Sequence, residues 1–343
     1  MTTPYQQYQA LKAANPKKYA RDLARDMGIS EAELTAARAG HEAQRLRSEM
    51  ADILQALEAV GETKSITRNE YAVHEHIGHY TNLSLGAHAG LVLNPRALDL
   101  RLFVNQWRSV FALQEQSPRG ERNSVQFFDA HGDAVLKVYA TDNTDRAAWD
   151  ALIARFAATD TSPLSITPAR AVSHSQDVDA AVVEQEWRAM TDVHQFFQLL
   201  KRHNISRQQA FHAVADDLAY QVSNDALRQL LTAAQQQANE IMIFVGNRGC
   251  VQIFTGKVEK LLPMDNWLNI FNPHFTLHLM EDSIAESWIT RKPGSDGMVT
   301  SLELFAADGT QIAQLYGQRT EGEAEQTVWR EQLASLTREG VTA

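Results

Sequence analysis

Residues 124–139, SVQFFDAHGDAVLKVY, align without a gap on residues 301–316, SLELFAADGTQIAQLY, and this internal repeat constrains the fold more than any other feature of the chain. Identities fall at Ser124/Ser301, Phe128/Phe305, Ala130/Ala307, Gly132/Gly309 and Tyr139/Tyr316. Each copy reads as a run of alternating character, a glycine-bearing turn and a second run, which predicts a β-hairpin. A Trp-led amphipathic helix follows each one, WDALIARF from Trp149 and WREQLASL from Trp329. Upstream, Asn94-Pro95 before LDLRLFV has a counterpart in Asn272-Pro273 before TLHLM.

Helical segments also open both copies. Residues 17–39 and 187–220 carry apolar side chains at three and four spacing, broken at Gly28-Ile29-Ser30 and at Asn204-Ile205-Ser206. The Thr-, Ser- and Pro-bearing sequence from Phe156 to Val183 lacks periodicity and reads as a linker. The expected layout is helices, sheet and terminal helix, written twice: an N-terminal repeat over 1–157, a linker over 158–183 and a C-terminal repeat over 184–343. The fold class is α+β, each copy a large, mostly antiparallel β-sheet with helices packed on one face. Such a sheet leaves edges that need cover, and a homodimer is one way to supply it.

Composition narrows the function. The 343 residues hold 32 Lys and Arg against 42 Asp and Glu, a formal net charge of −10. An acidic body repels a phosphate backbone, so nucleic acid is not the expected partner. The single cysteine, Cys250, excludes an intrachain disulfide framework and any multi-cysteine metal site, and fits a reducing compartment. Met1-Thr-Thr-Pro-Tyr opens without a basic segment or apolar run, and no stretch of about 18 apolar residues occurs, so the expectation is a cytoplasmic protein with no membrane insertion.

Three segments invite chemistry. ARDLARDMGISEAELTAAR has the outline of a DNA-reading helix-turn-helix, but its partner in the second copy and the acidic charge favour a helical hairpin packed on the sheet. His74 and His76 in YAVHEHIGHY share one strand face and, with His79, suggest a metal. Gly78, however, stands where the second histidine of H-E-x-x-H would be, and the segment pairs with VGNRGCV in the other copy, so a solvated hairpin turn is preferred. His194, in TDVHQFFQLLKRH, lies beside the stripe Met190, Val193, Phe197 and Leu200. A neutral imidazole among apolar walls suits a haem iron, though a lone helical histidine is more often a core or boundary residue.

Several longer stretches add to that reading: TDVHQFFQLLKRHNISRQQAF, TRNEYAVHE at 67–75, LRLFVNQW at 100–107 and RKPGSDG at 291–297. Together they resemble the HemS/ChuS family of cytoplasmic hemin-binding and hemin-degrading proteins, over essentially the whole chain. The resemblance implies haem b as ligand and substrate, with His194 as the ligand of the iron and Arg101 as the distal arginine; these two are the implied catalytic residues. It further implies Phe103 and Phe244 as aromatic wall, and Arg207, Lys292, Tyr316 and Arg319 as partners of the two propionates. A guanidinium above the iron can hold water or donate to bound dioxygen without competing as a ligand.

Oxidative opening of the porphyrin with release of iron then needs an external electron donor, because no G-x-G-x-x-G fingerprint for a nicotinamide or flavin is present. The alternative is a haem chaperone that accepts hemin from an importer and passes it to an acceptor protein. A reductase is the further partner of the degrading reading. A regulator that places the helical hairpin on DNA is the weakest reading, since a protein of this charge should not be retained on heparin at low salt.

Overall fold

The computed structural model describes residues 1–340, in two compact units. Unit 1 comprises Met1–Arg68, Glu75–Arg170 and Gly246–Gln252; unit 2 comprises Asn69–His74, Ala171–Val245 and the chain from Ile253 on. Each unit therefore includes a short segment from the other copy's stretch of sequence, which the contiguous boundaries read from the repeat do not anticipate.

Unit 1 begins with α1 (Pro4–Ala14), α2 (Ala20–Met27), α3 (Glu31–Ala37), β1 (Ala43–Arg45) and α4 (Met50–Ala56). Strands β2 (Gly61–Arg68), β3 (Ala72–Gly78), β4 (Leu83–Leu85), β5 (Gly90–Leu93), β6 (Asp99–Leu102), β7 (Trp107–Ser117), β8 (Gly120–Asp129) and β9 (Ala134–Thr144) follow, then α5 (Arg146–Phe156). Its strand order is β1-β7-β8-β9-β2-β3. The second part of the chain supplies α6 (Ala180–Arg188), α7 (Gln195–His203), α8 (Arg207–Ala213), β10 (Ala219–Val222), α9 (Ala226–Gln237), β11 (Ile241–Gly246) and β12 (Cys250–Gly256). After these come β13 (Leu261–Met264), β14 (Trp267–Phe271), β15 (Phe275–Met280), β16 (Ile284–Gly294), β17 (Gly297–Ala306), β18 (Gln311–Gly317) and α10 (Thr327–Ala334). Unit 2 repeats the order as β10-β16-β17-β18-β11-β12. Within unit 1 a second run, β12-β6-β5-β4, uses residues 250–252; within unit 2, β3-β15-β14-β13 uses residues 72–74.

The hairpins predicted from the repeat are β8–β9 and β17–β18, and Ser124 pairs with Tyr139 as Ser301 pairs with Tyr316. Gly132 and Gly309 take φ of +80° and +86°, the left-handed conformation that a side chain would strain. Both strand pairs shift register beside the turn, at Phe127/Phe128 and Leu304/Phe305, so the loops are bulged alike. Residues 158–175 form no helix or strand, although the Thr167 N–H donates to the Ala130 carbonyl at the hairpin turn.

The two Trp-led helices are the anchors of their cores. Trp149 is fully buried with Ile53, Leu57, Phe127 and Leu136; Trp329 is fully buried with Leu230, Leu302 and Leu315, and its indole N–H donates to the Thr300 carbonyl at 2.9 Å. Period-2 alternation sends Leu302 and Leu304 of β17 into that core and Phe305, across the bulge, to the side covered by α6, α7 and α8.

Three sequence readings need correction here. The helical stretch 187–220 is interrupted between Arg188 and Gln195, where Gln195 Oε1 accepts from the Thr191 N–H and Asp192 Oδ1 from the His194 N–H in a turn, and it ends in strand β10. The apolar face of α7 is also turned by one residue: Phe196 and Leu199 are buried, whereas Phe197 is 69% exposed. Finally, YAVHEHIG is not a solvated turn. His74 and His76 are buried on strand β3, with the His74 ring 4.7 Å from that of Phe275 and His76 Nδ1 2.8 Å from the Ile77 carbonyl oxygen. No group of three or more metal-ligating side chains is found among the described residues.

The other preferred readings stand on contacts. Helices α2 and α3 form the expected hairpin, with Gly28 at φ +71° in the break and Ser30 closing a capping box with Glu33. Leu23, Ala24 and Leu34 are buried against α1, and the Ala32 N–H donates to Gly132 O in the β8–β9 turn. No helix among the described residues is long and apolar enough to cross a membrane.

Candidate functional site

Of the sequence-predicted residues of unit 2, Phe244, Lys292 and Tyr316 share the face of β16, β17, β18 and β11 that bears α6–α8, and Arg207 reaches it from α8. Alternation puts Thr290 and Lys292, Ser301 and Glu303, Gln314 and Tyr316, and Met242 and Phe244 on that face. One end is closed by an aromatic cluster in which Trp187 lies 4.7 Å from Phe196, and Phe211 lies 5.6 Å from Trp288. Toward β11 the face is open enough for Met242, Phe244, Gln314 and Tyr316 to be only half-buried, with Phe244 and Tyr316 rings 5.2 Å apart.

A buried ion network lies at the edge of the aromatic cluster. The Glu303 carboxylate has no solvent contact; it accepts from Arg207 Nε at 2.8 Å, Arg207 Nη2 at 2.7 Å, Lys292 Nζ at 3.1 Å and Gln311 Nε2 at 2.8 Å. Lys292 Nζ donates as well to Thr290 Oγ1 at 2.7 Å and stands 4.8 Å from the centroid of Phe196, over which Arg207 also lies at 5.0 Å. Burial alone would push the Glu303 carboxyl up, but the guanidinium of Arg207 and the ammonium of Lys292 pull it down to about 2. At Lys292 burial prevails instead and pulls the ammonium down to about 8 against the attraction of Glu303. Arg207 is thus partly exposed and Lys292 enclosed. Tyr316 donates to Gln314 Oε1 at 3.1 Å, and burial pushes its phenol up.

His194 occupies the residue immediately before α7. Its side chain is 92% exposed, so it stands clear of the apolar stripe on which the sequence placed it. A single oxygen, Asp192 Oδ1, accepts from the His194 backbone N–H at 2.8 Å and lies 2.7 Å from Nδ1. Nε2 is left without a partner among the described residues. The backbone N–H of His194 holds the Asp192 carboxyl below its usual range, aided by the His194 ring and by the charge of exposed Arg319. The charge of Arg319 also acts on Tyr316.

Arg101 and Phe103 belong to unit 1. Arg101 on β6 donates through Nη1 to Asp99 Oδ1 at 2.5 Å and stays half-buried; burial pushes the Asp99 carboxyl up despite that cation. Phe103 is half-buried and its N–H donates to the Gly249 carbonyl. Sequence reasoning missed Asp192, Glu303 and Phe196. The signal for Asp192 was available as D-x-x-Q ahead of an apolar run, and none marked Glu303, an acidic residue inside an alternating strand.

Two stretches, residues 28–156 and 204–336, match the haemin-degrading HemS.ChuX domain. The hemin transport protein HmuS of Yersinia pestis is 63% identical over 340 residues, 99% of either chain. Among solved structures, the heme degrading enzyme ChuS of Escherichia coli O157:H7 is 66% identical with a TM-score of 0.94, over 98% of this chain and 99% of that one. Holo-PhuS, a heme-binding protein of Pseudomonas aeruginosa, is 41% identical with a TM-score of 0.94 over 98% of each.

Proposed function

Because the chain belongs to the HemS/ChuX family of haemin-degrading domains, we propose that it binds hemin through the Nε2 of His194 and, given an external electron donor, opens the porphyrin oxidatively and frees the iron. The observation that carries this is the imidazole itself: exposed, anchored through Nδ1, and free at the nitrogen a metal would take. Haem is here cargo and substrate, and most of the chemistry resides in the porphyrin iron and dioxygen.

The chain's own groups bind and orient. Phe244 and Tyr316 offer a half-buried aromatic surface, their rings tilted by 55°, against which the edge or face of a macrocycle can pack. Arg319 and Arg207 are the accessible cations for propionates, with the Tyr316 hydroxyl as a further donor. Lys292 contributes through the Glu303 network, since its ammonium is already committed to Glu303 and Thr290. For Arg101 and Phe103 the distal role and a place in the aromatic wall rest on the family resemblance alone. A guanidinium suits that role because it donates and cannot ligate iron.

The second reading is a carrier, favoured by the names "hemin transport protein" and "heme-binding protein" of two relatives. Both readings place the protein in the cytoplasm, receiving hemin from an importer and meeting a reductase or an acceptor protein. The test is turnover of the hemin complex with excess reductant under air. Bilin-type product and released iron support degradation; pigment that survives and transfers intact to an apo-acceptor supports the carrier.

A further inference from the structure

We propose that Asp192 is a positioning residue for the bond between His194 and iron: it holds the imidazole in the tautomer with the lone pair on Nε2, and its charge biases the site toward ferric over ferrous porphyrin. This rests on the reading of His194 given above. A carboxylate only accepts hydrogen bonds, so at 2.7 Å from Asp192 Oδ1 the proton must sit on Nδ1. In the neutral ring the lone pair is then on the outward nitrogen.

The turn that presents Asp192 is held by the chain's own hydrogen bonds. Gln195 Oε1 accepts from the backbone N–H groups of Thr191 at 2.9 Å and Asp192 at 3.3 Å, and Gln195 Nε2 donates to Thr191 Oγ1. Asp192 Oδ1 also takes the His194 backbone N–H, so one oxygen fixes both the main chain and the ring. An imidazole this exposed would otherwise sample several rotamers, and the anchor removes that ordering cost before binding. In the aligned helices of the first copy, Lys18 and Pro16 stand where His194 and Asp192 stand in the second, so the pair is confined to unit 2.

A carboxylate on the far nitrogen makes the imidazole a stronger donor, and a stronger donor favours the more highly charged metal. Hemin would therefore be held oxidised until a donor arrives, and reduction would loosen the grip.

The experiment compares the full-length wild type with Asp192→Asn, Asp192→Ala and His194→Ala. In the hemin-free protein, nitrogen NMR of the His194 ring should show the Nδ1–H tautomer in wild type and a mixture in Asp192→Ala. In the hemin complex, Asp192→Asn should keep the histidine-ligated absorbance while its ferric-to-ferrous affinity ratio falls about tenfold, which is about 59 mV upward in midpoint potential for a one-electron couple. Unchanged tautomer and potential, with hemin still on His194, overturn the proposal alone. A His194→Ala complex with the wild-type spectrum overturns the reading of the site and this proposal with it.

Discussion

Lys292 Nζ lies 3.1 Å from Glu303 Oε2 on neighbouring strands, and neither side chain has appreciable contact with solvent. Removing one partner of such a pair leaves an uncompensated buried charge, so Glu303→Gln should cost on the order of 3 kcal/mol. The cost should depend on pH. The folded-state pKa of Glu303 is depressed to about 2 from an ordinary value of 4.5, so its contribution is complete above 4.5 and fades as pH falls toward 2. Lys292 is depressed to about 8 from 10.5, so the folded protein sheds that proton first and gains stability as pH rises across that interval. Urea unfolding of wild type and Glu303→Gln between pH 2.5 and 10 reads both limbs; parallel curves would contradict them.

Gly317 ends β18 beneath the Trp329 ring, and a Cβ there would come 2.7 Å from Trp329 Cγ and 3.0 Å from its Cβ. The indole is pinned by its bond to Thr300 and cannot step aside. Gly317→Ala should therefore destabilise by about 1–3 kcal/mol through overpacking. The measure is the urea midpoint at unchanged slope.

Arg319 is exposed, its charge acts on Asp192 and Tyr316, and its proposed task is a propionate. Arg319→Ala should weaken hemin binding about tenfold, roughly 1.4 kcal/mol, and leave binding of the hemin dimethyl ester unaltered. Equal losses for both pigments would place Arg319 elsewhere in the energetics.

If Arg101 donates to the oxygen side of the reaction, Arg101→Ala should retain the histidine-ligated hemin spectrum and slow ring opening about a hundredfold. Fast turnover in that variant, measured by loss of the Soret band under air with reductant, would remove Arg101 from the mechanism. Asp99, with its carboxyl raised by burial, is the residue that the substitution leaves unpaired, so the urea midpoint of the variant is the control.

Much of the architecture was legible because its signals were local and doubled. The Gly132 and Gly309 turns, the flanking alternation and Trp149 and Trp329 each recur at matching offsets, and one copy vouches for the other. The failures came where a side chain's surroundings are set by distant strands. Phe196-Phe197 and Leu199-Leu200 admit two helical faces, and only packing on Trp187 and Phe211 selects Phe196. His74 and His76 read as a solvated turn because Gly78 breaks the metal motif and the paired stretch VGNRGCV has no histidine, whereas His74 is buried against Phe275, some two hundred residues on. Segments 69–74 and 246–252 likewise belong to units 2 and 1, apart from their neighbours in sequence. At the candidate site, His194 and its basic partners were found by resemblance, whereas Asp192 and Glu303 emerged only when distances could be read.

The most direct test is an absorbance titration with hemin of wild type and His194→Ala at the same pH. The account predicts a saturating Soret shift at one strong site in wild type, with a histidine-ligated spectrum that His194→Ala loses. An identical spectrum and affinity in the variant, or no uptake of hemin by the wild type, would contradict it.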